Sequence, residues 1–150
     1  MITESVAPVT PPAEMSAADI HLLQIAQELL ARVWVHGRHE VATALRTADG
    51  NIYTGVHLEG SCRRSSICAE GVAMGMARAG IAPGSPLRIE AVVSVQIKPA
   101  GQFRIIAPCG VCRELISDYC PEARIWITGD SGVHAVGALE LLPFKTRRAW

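Results

Sequence analysis

The chain has 150 residues, 49% of them apolar and 19% charged, which is enough apolar material for one domain with a single core. Basic and acidic residues number 14 each, and this balance argues against a nucleic-acid partner, which usually requires a cationic surface. No run of eighteen apolar residues occurs, and no basic segment precedes an apolar one near the start. We therefore expect a cytoplasmic protein with neither a membrane span nor a signal peptide.

The first predicted element is a helix that follows a proline-containing segment. Residues 1 to 15 contain three prolines among small and polar residues, and we expect a flexible leader before a catalytic domain over residues 16 to 150. Ser16 and Asp19 form a capping-box pattern, which predicts that a helix begins there. Apolar residues then recur at spacings of three and four, so the helix should continue to about Trp34.

The rest of the chain alternates between strand and helix patterns. Strands are predicted over residues 41–47, 52–57, 89–97, 103–107, 124–128 and 133–136, and helices over residues 68–79 and 108–119, with a short helix or docked segment over 139–143. The Ala-Asp-Gly-Asn sequence at residues 48–51 predicts a hairpin between the first two strands. We therefore predict an α/β fold, a three-layer α/β/α sandwich around a mixed sheet of roughly five strands.

Three of the five cysteines lie at or near the start of predicted helices. Cys109 and Cys112 are three residues apart, so both can point at one ion from the same helix face, and Cys68 would complete a set of three. A helix N-terminus carries partial positive charge, which favours thiolate over thiol. Glu70 stands two residues beyond Cys68, where its carboxylate can lie beside such an ion without binding it.

Three protein ligands leave one tetrahedral position open, which is typical of catalytic zinc. The pKa of a water molecule in that position falls from about 15.7 to roughly 7, and Glu70 could carry a proton from this water to a substrate nitrogen. Two other interpretations remain open. The cysteines could be structural thiols, or they could hold a structural zinc ion whose fourth ligand would be His57.

Two segments carry a resemblance to a known family. Cys68-Ala69-Glu70 and Pro108-Cys109-Gly110-Val111-Cys112-Arg113 match the three-cysteine form of the zinc deaminase signature. The chain therefore resembles the cytidine deaminase family over roughly residues 18 to 144. Within that family it is most similar to the blasticidin-S deaminases, on residues 56–59, 112–119 and 140–143. The resemblance implies a cytidine deaminase-like fold, one Zn²⁺ per chain held by the three cysteines, and a homotetramer.

The resemblance also implies a reaction and a set of substrate contacts. Water attacks C4 of a cytosine ring, and Glu70 protonates N3 and then the departing amino group, which leaves as ammonia. The backbone near Ala69 and the carbonyl groups of Ala107 and Pro108 are candidates for holding the edge of the base. Phe144 corresponds to an aromatic region that closes on the base, often from a neighbouring subunit.

Some residues depart from the pattern of free-standing cytidine deaminases. His57 and Glu59 stand where the family has Asn-x-Glu, whose side chains hold a ribose hydroxyl, and both remain candidates for substrate contact. Gly71 replaces an arginine that offsets the charge of the three thiolates, which leaves this task to the helix N-termini and to Arg63, Arg64 or Arg113. These changes leave the chemistry intact but argue against plain cytidine as the main substrate.

Several readings of the substrate stay open. The chain could be a deaminase of a nucleoside antibiotic of the blasticidin S type, in which case the tail residues Arg147 and Arg148 could bind a substrate carboxylate. It could instead be an ordinary cytidine or deoxycytidine deaminase of pyrimidine salvage. A polynucleotide-editing enzyme is disfavoured by the balanced charge, and a structural-zinc protein without turnover is the interpretation outside this class.

Overall fold

The computed structural model describes residues 5 to 149 and shows one mixed β-sheet with helices on both faces. The helices are Ala17–Val33 (α1), Ala69–Gly80 (α2) and Gly110–Tyr119 (α3), with short 3₁₀ helices at Arg63–Ser65 and Ala138–Leu141. The strands are Val41–Thr47 (β1), Ile52–Val56 (β2), Ile89–Ile97 (β3), Phe103–Ile105 (β4), Arg124–Gly129 (β5) and Gly132–Gly137 (β6). The predicted elements agree with these bounds within the usual uncertainty of helix and strand ends.

The sheet runs in the order β2-β1-β3-β5-β6, and the short β4 pairs with β3. β3 and β5 are parallel, and the other strand pairs among the described residues are antiparallel. All six predicted strand segments are present and join one sheet, so the expected count of roughly five strands is one too low. Since α1 covers one face and α2 and α3 cover the other, the predicted three-layer α/β/α sandwich is confirmed.

Strand alternation divides the interior into two apolar cores. Successive strand residues point to opposite faces of a sheet, so Ala42 and Val93 pack against α1, whereas Val92 packs on the side of α2 and α3. By the same alternation Thr43 and Ser94, which are directly paired across β1 and β3, lie on the side of α2 and α3. This second face therefore combines apolar packing with buried hydroxyl groups.

A buried carboxylate ties α1 to the sheet. Ser16 is the N-cap residue of α1, and its hydroxyl accepts a hydrogen bond from the backbone N–H of Asp19 at 3.2 Å, as the capping pattern predicted. The Asp19 side chain accepts hydrogen bonds from Arg46 on β1 and from Arg124 and Trp126 on β5, each at 2.8 Å. Trp126 is itself buried.

The start of α2 rests directly on the backbone of β2. A Cβ atom at Gly55 would lie 2.2 Å from the carbonyl oxygen of Ala69 and 2.5 Å from the backbone nitrogen of Ala73. No side chain fits in that space, so glycine at this position allows the close approach of helix to strand. The contact fixes the distance between the first turn of α2, which carries Glu70, and the sheet.

Residues 5 to 15 lie against the domain. The backbone of Ala7 donates to Gly101 at 2.8 Å and accepts from Phe103 at 2.9 Å, and the N–H of Val9 donates to the side chain of Gln27 at 2.8 Å. The flexibility predicted for the leader and the division at residue 16 stay predictions, and residues 1 to 4 and 150 lie outside the described part. Within residues 5 to 149, none of the helices has both the length and the hydropathy that a bilayer crossing requires.

Candidate active site

Two helix starts meet and bring three cysteines together. Cys68 is the N-cap residue of α2, Cys109 is the N-cap residue of α3, and Cys112 lies in the first turn of α3. Their sulfur atoms all lie within 4.8 Å of one another, and Cys68 Sγ and Cys109 Sγ are 3.4 Å apart. Among residues 5 to 149 this is the one group of three or more possible metal ligands with such spacing. The structure thus unites the three ligands predicted from the sequence.

The three thiols differ in acidity because their surroundings differ. Burial, and next a hydrogen bond with Cys109, raises the pKa of Cys68 to about 11. Burial, and next the negative charge of Glu70, raises the pKa of Cys112 far above its ordinary range. Burial acts in the same direction on Cys109, but hydrogen bonds from the backbone N–H of Cys112, from the thiols of Cys68 and Cys112, and from the backbone N–H of Val111 together outweigh it and lower the pKa of Cys109. The predicted effect of a helix start on a thiol is therefore present at α3.

The donor set fits a zinc ion. Zinc binds cysteine sulfur at about 2.3 Å in a tetrahedron, which places neighbouring sulfur atoms about 3.8 Å apart, and the observed spacing is close to this. A divalent cation between the sulfur atoms would favour the thiolate form against the burial that raises the pKa of Cys68 and Cys112. Three sulfur ligands would leave one tetrahedral position for another group.

Glu70 lies beside the sulfur cluster in a nearly closed environment. The residue is 4% exposed, and its negative charge contributes to raising the pKa of both Cys68 and Cys112. Ser94 donates a hydrogen bond from its hydroxyl to Oε1 of Glu70 at 2.9 Å, and the hydroxyl oxygen atoms of Thr43 and Ser94 are 2.7 Å apart. Among the described residues no basic side chain hydrogen-bonds to Glu70, so neutral hydroxyl groups hold it in place.

A cavity of about 290 Å³ opens at these groups. Its lining includes six of the residues predicted for the site, namely His57, Cys68, Ala69, Glu70, Ala107 and Cys109. Cys112 is buried behind them. A small ring that entered this cavity would therefore meet two of the three sulfur ligands, the carboxylate and two backbone segments together.

His57 lines the cavity, whereas Glu59 supports it from outside. The His57 Nδ1 atom accepts from the backbone N–H of Glu40 at 3.4 Å, and its Nε2 atom lies 3.4 Å from the Glu59 carboxylate. Glu59 also accepts hydrogen bonds from the Ser66 hydroxyl and the Gly60 backbone, and the bond from Ser66 is the main reason that the pKa of Glu59 is lowered. Direct substrate contact thus remains a prediction for His57 and is less favoured for Glu59, whose oxygen atoms are already engaged.

Two further predicted contacts do not reach the cavity in a single chain. The carbonyl oxygen of Pro108 accepts a hydrogen bond from Arg113 Nε at 2.8 Å, and Pro108 is not part of the lining. The side chain of Phe144 is fully exposed, at a residue with φ of 60°. Contact from a neighbouring subunit stays a prediction for Phe144, since the isolated chain leaves its ring facing solvent.

Nothing fills the place of the family arginine. A Cβ atom at Gly71 would meet no atom within 4 Å, and Arg113 bonds to the carbonyl oxygen atoms of Pro108 and Leu141. Arg63 and Arg64 are exposed on their 3₁₀ helix. Within residues 5 to 149 no basic side chain is among the main influences on the three cysteine pKa values, and the backbone N–H groups at the start of α3 act on Cys109 alone.

Seven residues of this region were not predicted from the sequence, and three of them, Glu40, Val41 and Ile106, line the cavity wall. Gln96 and Lys98, at the end of β3, line the cavity, and Thr43 and Ser94 support Glu70 from the sheet. A signal was available for Ser94, because a hydroxyl residue interrupts the apolar run of a strand predicted to be buried on both faces. Thr43 gave no such signal, since threonine is common in strands.

Comparisons with known proteins agree with this geometry. A blasticidin-S deaminase of Bacillus cereus is 32% identical over 138 residues, which cover 89% of this chain and 96% of that protein. A cytidine deaminase of Halalkalibacterium halodurans is 27% identical over 72% of this chain and 77% of that protein. The crystal structure of cytidine deaminase from Burkholderia pseudomallei superposes with a TM-score of 0.68 and 27% identity, covering 85% of this chain and 98% of that one. No protein-family model matches the chain.

The first of these relatives spans nearly the whole of both chains at more than 30% identity, and the solved structure has the same fold. This chain therefore belongs to the cytidine deaminase family. The resemblance found from Cys68-Ala69-Glu70 and the Pro108–Arg113 segment is confirmed at the level of the family, and so is the α/β fold that it implied.

Proposed function

We propose that this protein is a zinc-dependent hydrolytic deaminase. It converts the amino group on the cytosine ring of a nucleoside, or of a nucleoside antibiotic of the blasticidin S type, into a carbonyl group and releases ammonia. One observation carries the proposal: three cysteine sulfur atoms within 4.8 Å of one another lie beside a buried glutamate at a cavity of about 290 Å³. The similarity to a blasticidin-S deaminase over most of the chain supports the choice of substrate class.

Cys68, Cys109 and Cys112 would hold the zinc ion as thiolates. When bound, zinc with three protein ligands supplies an open position in which the pKa of a water molecule falls from 15.7 to about 7. The two N-cap cysteines are attached to separate helices, so the ion would sit where α2 and α3 begin. The N–H groups at the start of α3 favour the thiolate of Cys109.

Glu70 moves the protons of the reaction. Its carboxylate takes one proton from the attacking water and delivers it to N3 of the cytosine ring. It then takes the second proton from the hydroxyl group now on C4 and gives it to the amino group, so that the C4 carbonyl forms as ammonia leaves. Burial of Glu70 beside the cavity keeps this exchange away from bulk water. Ala69 and Ala107 present backbone groups that can bind the base edge, while His57 faces the part of the substrate beyond the ring.

A direct test is an ultraviolet assay of four compounds: cytidine, deoxycytidine, a modified cytosine nucleoside and blasticidin S. We expect loss of the cytosine absorbance with blasticidin S, together with about one zinc ion per chain by metal analysis. Turnover of cytidine without turnover of blasticidin S would instead support an ordinary pyrimidine-salvage deaminase. No turnover of any compound by the zinc-loaded protein would contradict the proposed function.

A structural-zinc protein without turnover is the second candidate, and the same sulfur cluster is the observation that favours it. It requires a fourth protein ligand, and His57 was the candidate for that position. In the structure both His57 ring nitrogen atoms have other partners, a backbone N–H and the Glu59 carboxylate. Cobalt substitution distinguishes the two candidates, because the absorption spectrum changes on adding a competing ligand only if the fourth position is open.

The proposed assembly is a homotetramer in the cytoplasm, with a small-molecule substrate and neither nucleic acid nor membrane as a partner. Several large apolar side chains are exposed in the single chain, among them Ile67, Met76, Val111, Tyr119 and Phe144, and burial between subunits would remove them from water. Light scattering should give the mass of four 16.0-kDa chains. The mass of a single chain would contradict the tetramer and with it the predicted role of Phe144.

A further inference from the structure

The sheet holds one oxygen of the proposed proton carrier through a chain of two hydroxyl groups. Thr43, Ser94 and Glu70 are all buried, and they come from β1, β3 and α2. Thr43 and Ser94 are direct partners in the antiparallel register, so the two strands fix their spacing. We infer that Thr43 and Ser94 are positioning residues: Ser94 binds Oε1 of Glu70, Thr43 holds the Ser94 hydroxyl, and Oε2 is left without a protein donor. The inference rests on the proposed function.

The number of hydroxyl hydrogens determines which group donates in each hydrogen bond among Thr43, Ser94 and Glu70. An ionised carboxylate only accepts, so the hydroxyl hydrogen of Ser94 is committed to Glu70 Oε1 at 2.9 Å. Ser94 Oγ must then accept from the hydroxyl of Thr43 at 2.7 Å. The order of donation is therefore from Thr43 to Ser94 and from Ser94 to Glu70. Each hydroxyl has one hydrogen, and both hydrogens are used.

The direction separates the two oxygen atoms of Glu70. The Ser94 hydrogen occupies Oε1, and the pairing of β1 with β3 fixes the Ser94 and Thr43 hydroxyl groups, so the Glu70 carboxylate is held in one orientation. No described residue donates a hydrogen bond to Oε2. This atom is not among the buried polar atoms that lack a partner, so it is accessible, and Glu70 lines the cavity. Oε2 is thus the oxygen that water and substrate can reach.

The first experiment measures kcat and KM on the best of the four compounds, with zinc content determined for each variant. Ser94→Ala should lower kcat by about ten- to a hundredfold, because it removes a hydrogen bond to a charged group, and KM should change little. Thr43→Val should lower kcat less, by about two- to tenfold. Thr43→Ser, which keeps the hydroxyl, should restore kcat to within about twofold of the wild type.

A matched control is available on the same strand. Thr47 is also a fully buried threonine of β1, and its hydroxyl bonds to Asp49 in the hairpin turn, away from the cavity. Thr47→Val therefore removes a comparable buried hydroxyl bond without touching Glu70. It should keep kcat within about twofold of the wild type even if the protein is less stable. An equal loss of kcat in Thr47→Val and Thr43→Val would overturn the inference.

A second measurement does not depend on the loaded enzyme. Urea unfolding of the zinc-free wild type, Ser94→Ala, Glu70→Ala and the double variant forms a mutant cycle, because each single substitution removes the bond between Ser94 and Glu70. We expect the two substitutions to be non-additive in the free energy of unfolding, and additivity would overturn the inference. Wild-type turnover with unchanged kcat in Ser94→Ala would also overturn it while leaving the proposed function intact. Absence of wild-type turnover on all four compounds would contradict both the proposed function and the inference.

Discussion

The molecule contains two buried carboxylates on opposite faces of one sheet, and their surroundings differ in kind. Asp19, on the α1 side, receives hydrogen bonds from two arginines and a tryptophan. Glu70, on the side of α2 and α3, receives one hydrogen bond from the hydroxyl of Ser94. Both are almost fully removed from water. The same functional group is therefore surrounded by cationic partners in one place and left with a single neutral donor in the other.

The difference decides what each carboxylate can do. Burial acts to raise the pKa of Asp19, but hydrogen bonds from Arg124, Trp126 and Arg46 outweigh burial and hold that pKa below its ordinary value. Asp19 is thus fixed as an anion and can serve only to join elements. Glu70 keeps one oxygen without a protein donor, so it can gain and lose a proton during a reaction. Asp19, whose oxygen atoms accept several hydrogen bonds, has a structural role, whereas Glu70, with one oxygen that accepts none from the protein, can take part in the reaction.

The largest effect that separates the two sites should be on turnover. Glu70→Gln keeps the size and the Ser94 hydrogen bond but cannot carry a proton, so kcat should fall by about 10²- to 10⁴-fold. The variant should still bind about one zinc ion per chain, because the cysteines are unchanged. Deamination by this variant at the wild-type rate would rule out the role of Glu70. The matched variant Asp19→Asn should keep kcat within about tenfold of the wild type, since Asp19 is remote from the cavity.

The largest effect on stability should come from the other carboxylate. Asp19→Ala leaves Arg46, whose side chain is 12% exposed, without its main counter-charge, and should lower the free energy of unfolding by about 3–5 kcal/mol. Urea unfolding at fixed zinc and protein concentration measures this loss. Asp19→Asn, which keeps the volume, should lose less. A change below about 1 kcal/mol for Asp19→Ala would mean that the network contributes nothing beyond packing.

A third substitution disturbs the position of Glu70 without altering its chemistry. Gly55→Ala places a methyl group 2.2 Å from the carbonyl oxygen of Ala69, so α2 must shift, at a cost of about 1–3 kcal/mol in stability. We expect kcat to fall as well, because the shift moves the carboxylate relative to Ser94. Gly75→Ala is the control on the same helix, since its Cβ would meet no atom within 4 Å. It should raise stability by up to about 1 kcal/mol, and an equal loss in both variants would contradict this account.

The smallest effect is on the pH dependence of stability. Because folding lowers the pKa of Asp19, this residue contributes stability that is fully present above its unfolded pKa of about 3.9 and is lost as the pH falls through the lower folded value. The wild type should therefore lose stability more steeply below about pH 4 than Asp19→Asn does. Urea unfolding at a series of acidic pH values measures the two slopes. Parallel slopes would show that Asp19 is not the group responsible.

Much of this architecture could be predicted from local patterns. The bounds of β1 and β3 follow from apolar runs closed by turn residues, and the start of α1 follows from Ser16 and Asp19. Cys109 and Cys112 were found because a spacing of three places two side chains close together on a helix, and Cys68 and Glu70 were joined to them by the resemblance to the zinc deaminase signature. The short β4 was predicted over residues 103–107 but covers only Phe103–Ile105, because its end is set by the pairing with β3 and not by a local pattern.

What could not be predicted depends on distant pairings. Asp19 meets Arg46 and Arg124 across 27 and 105 residues, and Thr43 meets Ser94 across 51. A polar residue in a predicted buried element indicates that a partner exists, but only the strand order and register decide which residue it is. The sequence therefore indicated a role for Glu70, but the partners that hold each of the two carboxylates are decided by the fold.

The two N-cap cysteines have a consequence for how the protein opens. Most helices begin with an oxygen that accepts from the first-turn amides, whereas α2 and α3 begin with a sulfur, and neither forms a cap hydrogen bond of ordinary geometry. The first turns of α2 and α3, which form the rim of the cavity, therefore lack the stabilisation of an ordinary cap and should open more readily than the strands of the sheet. Removal of the proposed zinc ion by a chelator should therefore speed amide exchange in the first turns of both helices, while the strands keep their protection.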